Sequence, residues 1–179
     1  TYRMQRKFAD AQRVWQEFLR AHPTHKDWSA VQQQLLDLEY EVGADRYAEK
    51  QYPEAREAWQ RFLDAHPLDP RCPETLYALG QIEHDRKEWQ AAIDAWTRLV
   101  SKYPGTDPAS HAQFMIGFTR ERELHRFPEA IEAYRACTWG AYAPQAQARI
   151  QEMEAKKLVV VTERTFRSNE TPELKVVTR

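Results

Sequence analysis

The stretch YPEAREAWQRFLDAHP, residues 52–67, recurs in altered form along this chain. Its relatives FADAQRVWQEFLRAHP, WQAAIDAWTRLVSKYP and FPEAIEAYRACT begin at Phe8, Trp89 and Phe127, so successive copies start 44, 37 and 38 residues apart. In every copy an alanine follows the first aromatic residue by three positions, and a second aromatic residue comes four positions later. Repeats with a period near this length predict stacked pairs of helices.

Each copy of the repeat has the pattern of one amphipathic helix. Ala55, Trp59 and Phe62 are spaced at i, i+4 and i+7, which places them on the same face of an α-helix. Pro53 falls in the expected first turn, where its missing N–H is tolerated, and Pro67 ends the helix. The chain therefore encodes this helix four times. In the first copy, the residues expected to face inward are Ala11, Val14, Trp15, Phe18 and Leu19.

A second set of helices is expected between the copies, so the predicted fold class is all-α. The hydrophobic pattern predicts these helices at about residues 28–50, 74–87 and 108–124, with a terminal helix at about 143–157. Each of the first three carries an apolar residue followed by a glycine, where a neighbouring helix can pack closely. The terminal helix has few large apolar residues, which is typical of a helix that caps a stack.

Composition argues against several classes of function. The chain has 179 residues, 42% of them hydrophobic, and a formal net charge of −1, so no overall field attracts nucleic acid or anionic lipid. No apolar run reaches the length of a membrane span, so membrane insertion is not expected. With five glycines and no phosphate-binding glycine motif, the sequence predicts no cofactor.

The histidine and cysteine residues do not form a catalytic or metal-binding pattern. His22 and His66 each precede a helix-ending proline, and a residue repeated at equivalent positions is expected to be structural. Cys72 and Cys137 lie two helix pairs apart, too far for a disulfide. Cys72 is expected in a loop where it could react, and Cys137 in the core. We predict no catalytic or metal-binding residues, with an enzyme using the histidines and carboxylates as the alternative.

These features resemble the tetratricopeptide repeat, which has an apolar–glycine pair in its first helix, then alanine, aromatic and apolar positions in its second helix, and a proline at the end. The resemblance covers about residues 2–157. It implies a right-handed solenoid of antiparallel helix pairs, a domain of residues 1–157, with a C-terminal capping helix. The run YPGTDPASHAQFMIGF, residues 103–118, looks most like the repeats of bacterial cell-envelope proteins.

The resemblance also implies where a protein or peptide partner would bind. In that family the first helix of each pair lines the concave surface, and aromatic side chains with polar neighbours suit an extended peptide or a helix laid into a groove. The matching positions are Tyr40, Tyr47, Tyr77, Gln81, His84, Phe114, Phe118, Glu121 and Arg122. The alternative is that these aromatic side chains pack between helix pairs. The asparagine with which some repeats hold a C-terminal carboxylate is replaced by Glu41, Ala78 and Met115.

Helical periodicity ends after residue 157. The β-branched runs LVVVT at 158–162 and LKVVT at 174–178 predict a β-strand or hairpin tail, residues 158–179. Residues 162–179 resemble the start of a macroglobulin domain of the α2-macroglobulin family, with Ser168 and Asn169 where that family has proline and glycine. This implies the N-terminal helical region of a larger bacterial protein, periplasmic or secreted. The alternative is a freestanding adaptor of cell-envelope assembly whose tail pairs with a partner's sheet edge.

Overall fold

The computed structural model describes residues 2–156, with side chains from Lys7 onward. The backbone of this part of the chain forms eight α-helices, which confirms the all-α prediction for these residues. Their bounds are α1 Tyr2–Ala21, α2 Trp28–Ala48, α3 Tyr52–Ala65, α4 Cys72–Asp85, α5 Trp89–Lys102, α6 Asp107–Arg122, α7 Phe127–Ala136 and α8 Ala143–Ala155. The predicted β-strand tail and the domain boundary at residue 157 lie outside the described residues.

Helices α2 and α3 form an antiparallel pair, as do α4 with α5 and α6 with α7. Tyr47, near the end of α2, packs on Tyr52 at the start of α3, with ring centres 5.9 Å apart. Two turns earlier in α2, a carboxylate oxygen of Glu39 lies 2.7 Å from Nε2 of His66, which follows the last residue of α3. The chain therefore runs back along itself within the pair. The α4–α5 pair runs antiparallel in the same way, as its contacts His84–Trp89 and Tyr77–Trp96 show. In the α6–α7 pair, the contacts Glu121–Tyr134 and Ser110–Trp139 show the same arrangement.

A glycine and an aromatic ring determine how closely the two helices of each pair approach. A Cβ added at Gly117 would lie 2.6 Å from the ring of Tyr134, closer than real carbon atoms come. A Cβ at either of the two equivalent glycines would also overlap an indole ring, because Gly43 faces Trp59 and Gly80 faces Trp96. The recurrence of glycine at this position, 37 residues apart each time, therefore has a packing cause.

The core lies between the helices of these pairs and continues from one pair to the next. Trp59, Phe62, Leu76 and Trp96 belong to one buried cluster. A second cluster, which includes Tyr134, joins α7 to α8. Helix α8 packs on both α6 and α7. This is the arrangement expected of a helix that ends a stack.

A residue in the left-handed conformation ends the first helix of each pair. Lys50, Lys87 and His125 have φ angles of 59°, 63° and 53°. The N–H of Lys87 donates to the carbonyl of His84 at 2.9 Å, so the helix closes before the chain reverses. This conformation costs a residue other than glycine about 1–2 kcal/mol.

Two expectations about individual side chains were wrong. Val14, expected to face inward, is 53% exposed, because α2 is the only helix that packs against α1 among the described residues. Cys72, expected in a reactive loop, is instead the first residue of α4 and fully buried, and its thiol donates to the carbonyl of His66 at 3.1 Å. Cys137 is buried, as predicted.

Candidate functional site

The first helices α2, α4 and α6 carry the residues expected in a groove, and in α2 and α4 a tryptophan of the second helix bonds to the backbone beside them. The indole N–H of Trp59 donates to the carbonyl of Tyr40 at 3.3 Å. One pair later, the indole N–H of Trp96 donates to the carbonyl of Tyr77 at 3.2 Å. The helical turn that presents each tyrosine is therefore anchored by a buried donor, which would be costly to leave unpaired.

The α2 candidates Tyr40 and Tyr47 are half-buried. Tyr40 packs edge-on against Phe62 of α3, with ring centres 5.6 Å apart. Tyr47 lies against Trp59 at 5.5 Å, and burial, followed by the nearby charge of Asp85, raises its pKa. Each ring thus rests on the second helix of its own pair and keeps part of its surface open.

The three α4 candidates differ in the ring contacts and hydrogen bonds that their side chains already make within the fold. Tyr77 stacks on Trp96, with ring centres 6.2 Å apart, and burial raises its pKa. Gln81 uses its amide to donate to Asp85 at 2.9 Å. His84 packs edge-on against Trp89 at 4.9 Å, and its Nε2 is buried with no hydrogen-bond partner among the described residues.

The α6 candidates divide into two aromatic and two charged side chains. Phe114 packs on Tyr134 at 5.4 Å and on Phe118 at 6.4 Å, and both phenylalanines are half-buried. Glu121 is buried and accepts a hydrogen bond of 2.9 Å from the hydroxyl of Tyr134. Arg122 is exposed, with its guanidinium 3.6 Å from the Glu121 carboxylate. Of this set, Glu121 is the side chain most involved in holding the fold.

Three rings stack across α4, α6 and the turn before α8, and we call them the aromatic column: Tyr77 of α4, His111 of α6 and Tyr142, the residue before α8. The His111 ring lies 4.4 Å from Tyr77 and 4.0 Å from Tyr142, nearly parallel to the latter at 7°. The Tyr77 hydroxyl lies 2.9 Å from Nε2 of His111. Burial lowers the pKa of His111, so the neutral ring is favoured inside the column.

An arginine occupies the space between α2 and α4, and we call its surroundings the arginine cluster: Asp37, Tyr40, Asp69 and Arg71. The Arg71 guanidinium carbon lies 5.0 Å from the centre of the Tyr40 ring. Its nitrogens donate to Asp37 at 2.8 Å and to both carboxylate oxygens of Asp69 at 2.8 and 2.9 Å. The hydrogen bonds from Arg71 lower the pKa of Asp69. This cluster ties α2 to the start of α4.

The corresponding space between α4 and α6 is open. A cavity of about 280 Å³, which we call the α4–α6 cavity, lies there beside the aromatic column. Its lining consists of three aromatic rings, two carboxylates and a proline: Tyr77, His111, Tyr142, Glu74, Asp107 and Pro108. The walls are therefore aromatic and the ionised groups are negative.

A second cleft, of about 250 Å³, lies at the other end of α6, where α7 and α8 meet it. Its charged groups already pair with one another, since Arg149 bonds to both Glu121 and Glu152. The bond to Glu121 raises the pKa of Arg149. With its charges compensated from within, this cleft is better explained as part of the packing of α8.

Comparison with known proteins supports the repeat assignment. Residues 43–106 match the family model of the tetratricopeptide repeat. The chain is similar in structure to the crystal structure of MamA, with a TM-score of 0.51 and 24% sequence identity over 87% of this chain and 82% of that one. At this identity the similarity concerns the fold alone. No curated protein matches the sequence.

Tetratricopeptide repeats form a scaffold for protein–protein interaction, and solenoids of stacked helix pairs offer an extended concave surface for it. Among residues 7–156 there is no cluster of three or more His, Cys, Asp or Glu side chains that could hold a metal ion. None of the helices from α1 to α8 is long and apolar enough to span a membrane. What the described side chains do provide is a row of half-buried rings with carboxylates beside them.

Sequence reasoning missed most of the α4–α6 cavity and all of the arginine cluster except Tyr40. The signal was present, because Asp37, Glu74 and His111 are spaced 37 residues apart, as are the three glycines. None of these three residues stands at the apolar–glycine, alanine, aromatic or proline positions that define the repeat motif above. Applying the 37-residue spacing to every position of the helix pair, and not only to the motif, would have brought them into view.

Proposed function

We propose that this chain is a non-catalytic scaffold that binds an extended peptide or a helix of a partner protein in a groove lined by α2, α4 and α6. The observation that supports the groove is the row formed by Tyr40, Tyr77 and Phe114, one aromatic ring every 37 residues, each half-buried. Rigid aromatic rings with part of their surface open are the side chains that most often anchor a bound polypeptide. The candidates Tyr47, Gln81, His84, Phe118 and Arg122 are proposed to flank this row.

The proposal is tested with a displayed library of peptides of about 12 residues, long enough to cross three helix pairs in an extended form. Peptides selected on the purified chain are labelled, and their dissociation constants are measured by fluorescence anisotropy. The double variant Tyr77→Ala with Phe118→Ala should weaken binding at least about 30-fold, because aromatic anchors contribute about 1–2 kcal/mol each.

Thr97→Ala provides the matched control, since Thr97 is exposed on the second helix α5. This variant should bind selected peptides as the unchanged protein does. Circular dichroism must show that both variants keep their helix content. If the double variant is fully folded and still binds with unchanged affinity, the groove proposal is wrong. A loss of helicity that matches the loss of binding would instead show that the two rings belong to the core.

We further propose that the helical scaffold precedes a macroglobulin-like domain in a larger extracytoplasmic protein of a bacterium. The support is the sequence resemblance of residues 162–179 to the opening strand of such a domain. The test is the complete reading frame from which this chain comes. A secretion signal upstream and a series of β-rich domains downstream are expected; a stop codon shortly after residue 179 would favour the freestanding adaptor.

A further inference from the structure

The arginine cluster and the α4–α6 cavity are equivalent sites in successive helix pairs. Moving 37 residues along the chain takes Gly43 to Gly80 and Trp59 to Trp96, and the structure shows the same glycine–indole contact in both pairs. The same step takes Asp37 to Glu74, Tyr40 to Tyr77 and Arg71 to Pro108. The acidic residue and the tyrosine of the cluster are therefore repeated, and the arginine is not.

The first of these sites shows which group the repeated residues bind. Tyr40 offers the face of its ring to the guanidinium of Arg71, 5.0 Å away, while Asp37 accepts a hydrogen bond of 2.8 Å from it. Asp69 supplies a second carboxylate from the turn before α4. In this position the guanidinium makes a cation–π contact with the aromatic ring and donates hydrogen bonds to two carboxylates.

The second site repeats the acidic residue and the tyrosine, has no cation, and adds an imidazole that the first site lacks, because His111 stacks on Tyr77 with ring centres 4.4 Å apart. Tyr77 and Glu74 stand where Tyr40 and Asp37 stand in the first, and Asp107 supplies a second carboxylate from the start of α6. Neither Glu74 nor Asp107 has a hydrogen bond or ion pair with any side chain among residues 7–156. Pro108 carries no charge and leaves a space of about 280 Å³.

We propose that the α4–α6 cavity binds an arginine side chain of the partner polypeptide, whose guanidinium takes the place that Arg71 takes in the preceding pair. The proposal rests on the groove function above and adds the chemical identity of one partner side chain. Guanidinium is preferred to ammonium because it is planar, stacks on aromatic rings and donates to two carboxylates at once.

The test uses the full chain, isotope-labelled, and three small probes added in turn while amide signals are recorded by NMR. The probes are the N-acetyl N-methylamides of arginine, of citrulline, which has the same shape without the charge, and of lysine. Arginine should shift the amide signals next to Tyr77 and His111 in a saturable way, with citrulline and lysine at least about tenfold weaker. Equal shifts from arginine and citrulline would overturn the proposal, and so would equal shifts from arginine and lysine.

Variants of the lining provide a second and independent reading. Glu74→Gln and Asp107→Asn should each weaken binding of the arginine probe about three- to fivefold, as expected for ion pairs with exposed carboxylates. Pro108→Arg should abolish probe binding, because the introduced side chain fills the cavity as Arg71 fills its own site. Pro108→Ala, which removes the proline without adding a charge, should still bind the probe. Unchanged binding by a folded Pro108→Arg protein would refute the site.

These experiments test the arginine site and the groove proposal independently of each other. The probes are single residues, so they report on the α4–α6 cavity whether or not a long peptide binds elsewhere. If library peptides bind and lose affinity in the Tyr77→Ala, Phe118→Ala protein, while the arginine probe shows no preference over citrulline, the groove stands and the arginine site falls. If the probe binds as described and no peptide is selected, the arginine site stands and the groove falls.

Discussion

Replacing Gly80 by alanine tests the packing between the helices of a pair, because two physical effects predict opposite signs. Alanine is a better helix former than glycine by about 1 kcal/mol, so helix propensity alone predicts a more stable protein. The structure predicts the reverse. The new Cβ would overlap the indole ring of Trp96, which is fully buried and cannot retreat into solvent.

The magnitude follows from the contacts that must change. Forcing an extra carbon into a filled core costs about 1–3 kcal/mol. Displacing the Trp96 ring also breaks its hydrogen bond of 3.2 Å to the carbonyl of Tyr77, and a buried donor left unpaired costs about 1–3 kcal/mol. After subtraction of the gain in helix propensity, Gly80→Ala should reduce the free energy of unfolding by about 3 kcal/mol. For a chain of this length the melting temperature should fall by about 6–12 °C.

Urea denaturation, monitored by circular dichroism, measures this change in the free energy of unfolding. The control is a double-mutant cycle with Trp96→Leu, which removes the ring that the Cβ would meet. In the Trp96→Leu background, Gly80→Ala should be neutral or stabilising, since only helix propensity then remains. An equal loss of stability in both backgrounds, or a gain in the original protein, would refute the reasoning.

Three further predictions concern stability. Lys87→Gly should stabilise the protein by about 0.5 kcal/mol in urea denaturation, because relief of the left-handed conformation (φ 63°) outweighs the added chain entropy of glycine, and a loss would contradict this. Glu121→Ala should cost about 2–4 kcal/mol in the same assay, since it leaves the buried hydroxyl of Tyr134 unpaired, whereas an effect below about 0.5 kcal/mol would mean that the carboxylate is not part of the core. Burial lowers the pKa of folded His111, so the unfolded chain binds more protons in mild acid, and thermal stability should fall between about pH 7 and 5 more steeply in the original protein than in His111→Phe. Parallel pH profiles would contradict this; the ionisable groups facing His111 are those of Tyr77, Tyr142, Glu74 and Asp107.

The helices themselves were predictable because their signals are local. The second helices α3, α5 and α7 begin at Tyr52, Trp89 and Phe127, the first aromatic residue of each copy, as predicted. Helix α4 begins at Cys72, two residues before the expected start, so the cysteine lies in the helix and not in the loop before it. Once Cys72 lies in the helix, its side chain turns into the core and its thiol is no longer in a loop.

The site was predictable only in part, for a geometric reason. Tyr77 follows from its spacing to Gly80 within one helix, and such a spacing is fixed by the helical period. His111 and Tyr142 reach the same column from two other helices, across turns whose geometry has no period. Glu121 has a groove position by resemblance to the family, and only the structure shows that its carboxylate is buried and accepts a hydrogen bond from Tyr134.

The order of residues along the chain was enough to determine helices, their pairing and the glycine that each pair requires, since all of these depend on spacings within one repeat. The tertiary structure decided which of two equivalent sites is filled. Arg71 lies in the turn between α3 and α4, and Asp37 and Tyr40 lie in α2; they meet because the pairs stack. Pro108 stands at the position equivalent to Arg71. Its small uncharged side chain leaves an open cavity only because the neighbouring helices surround that position.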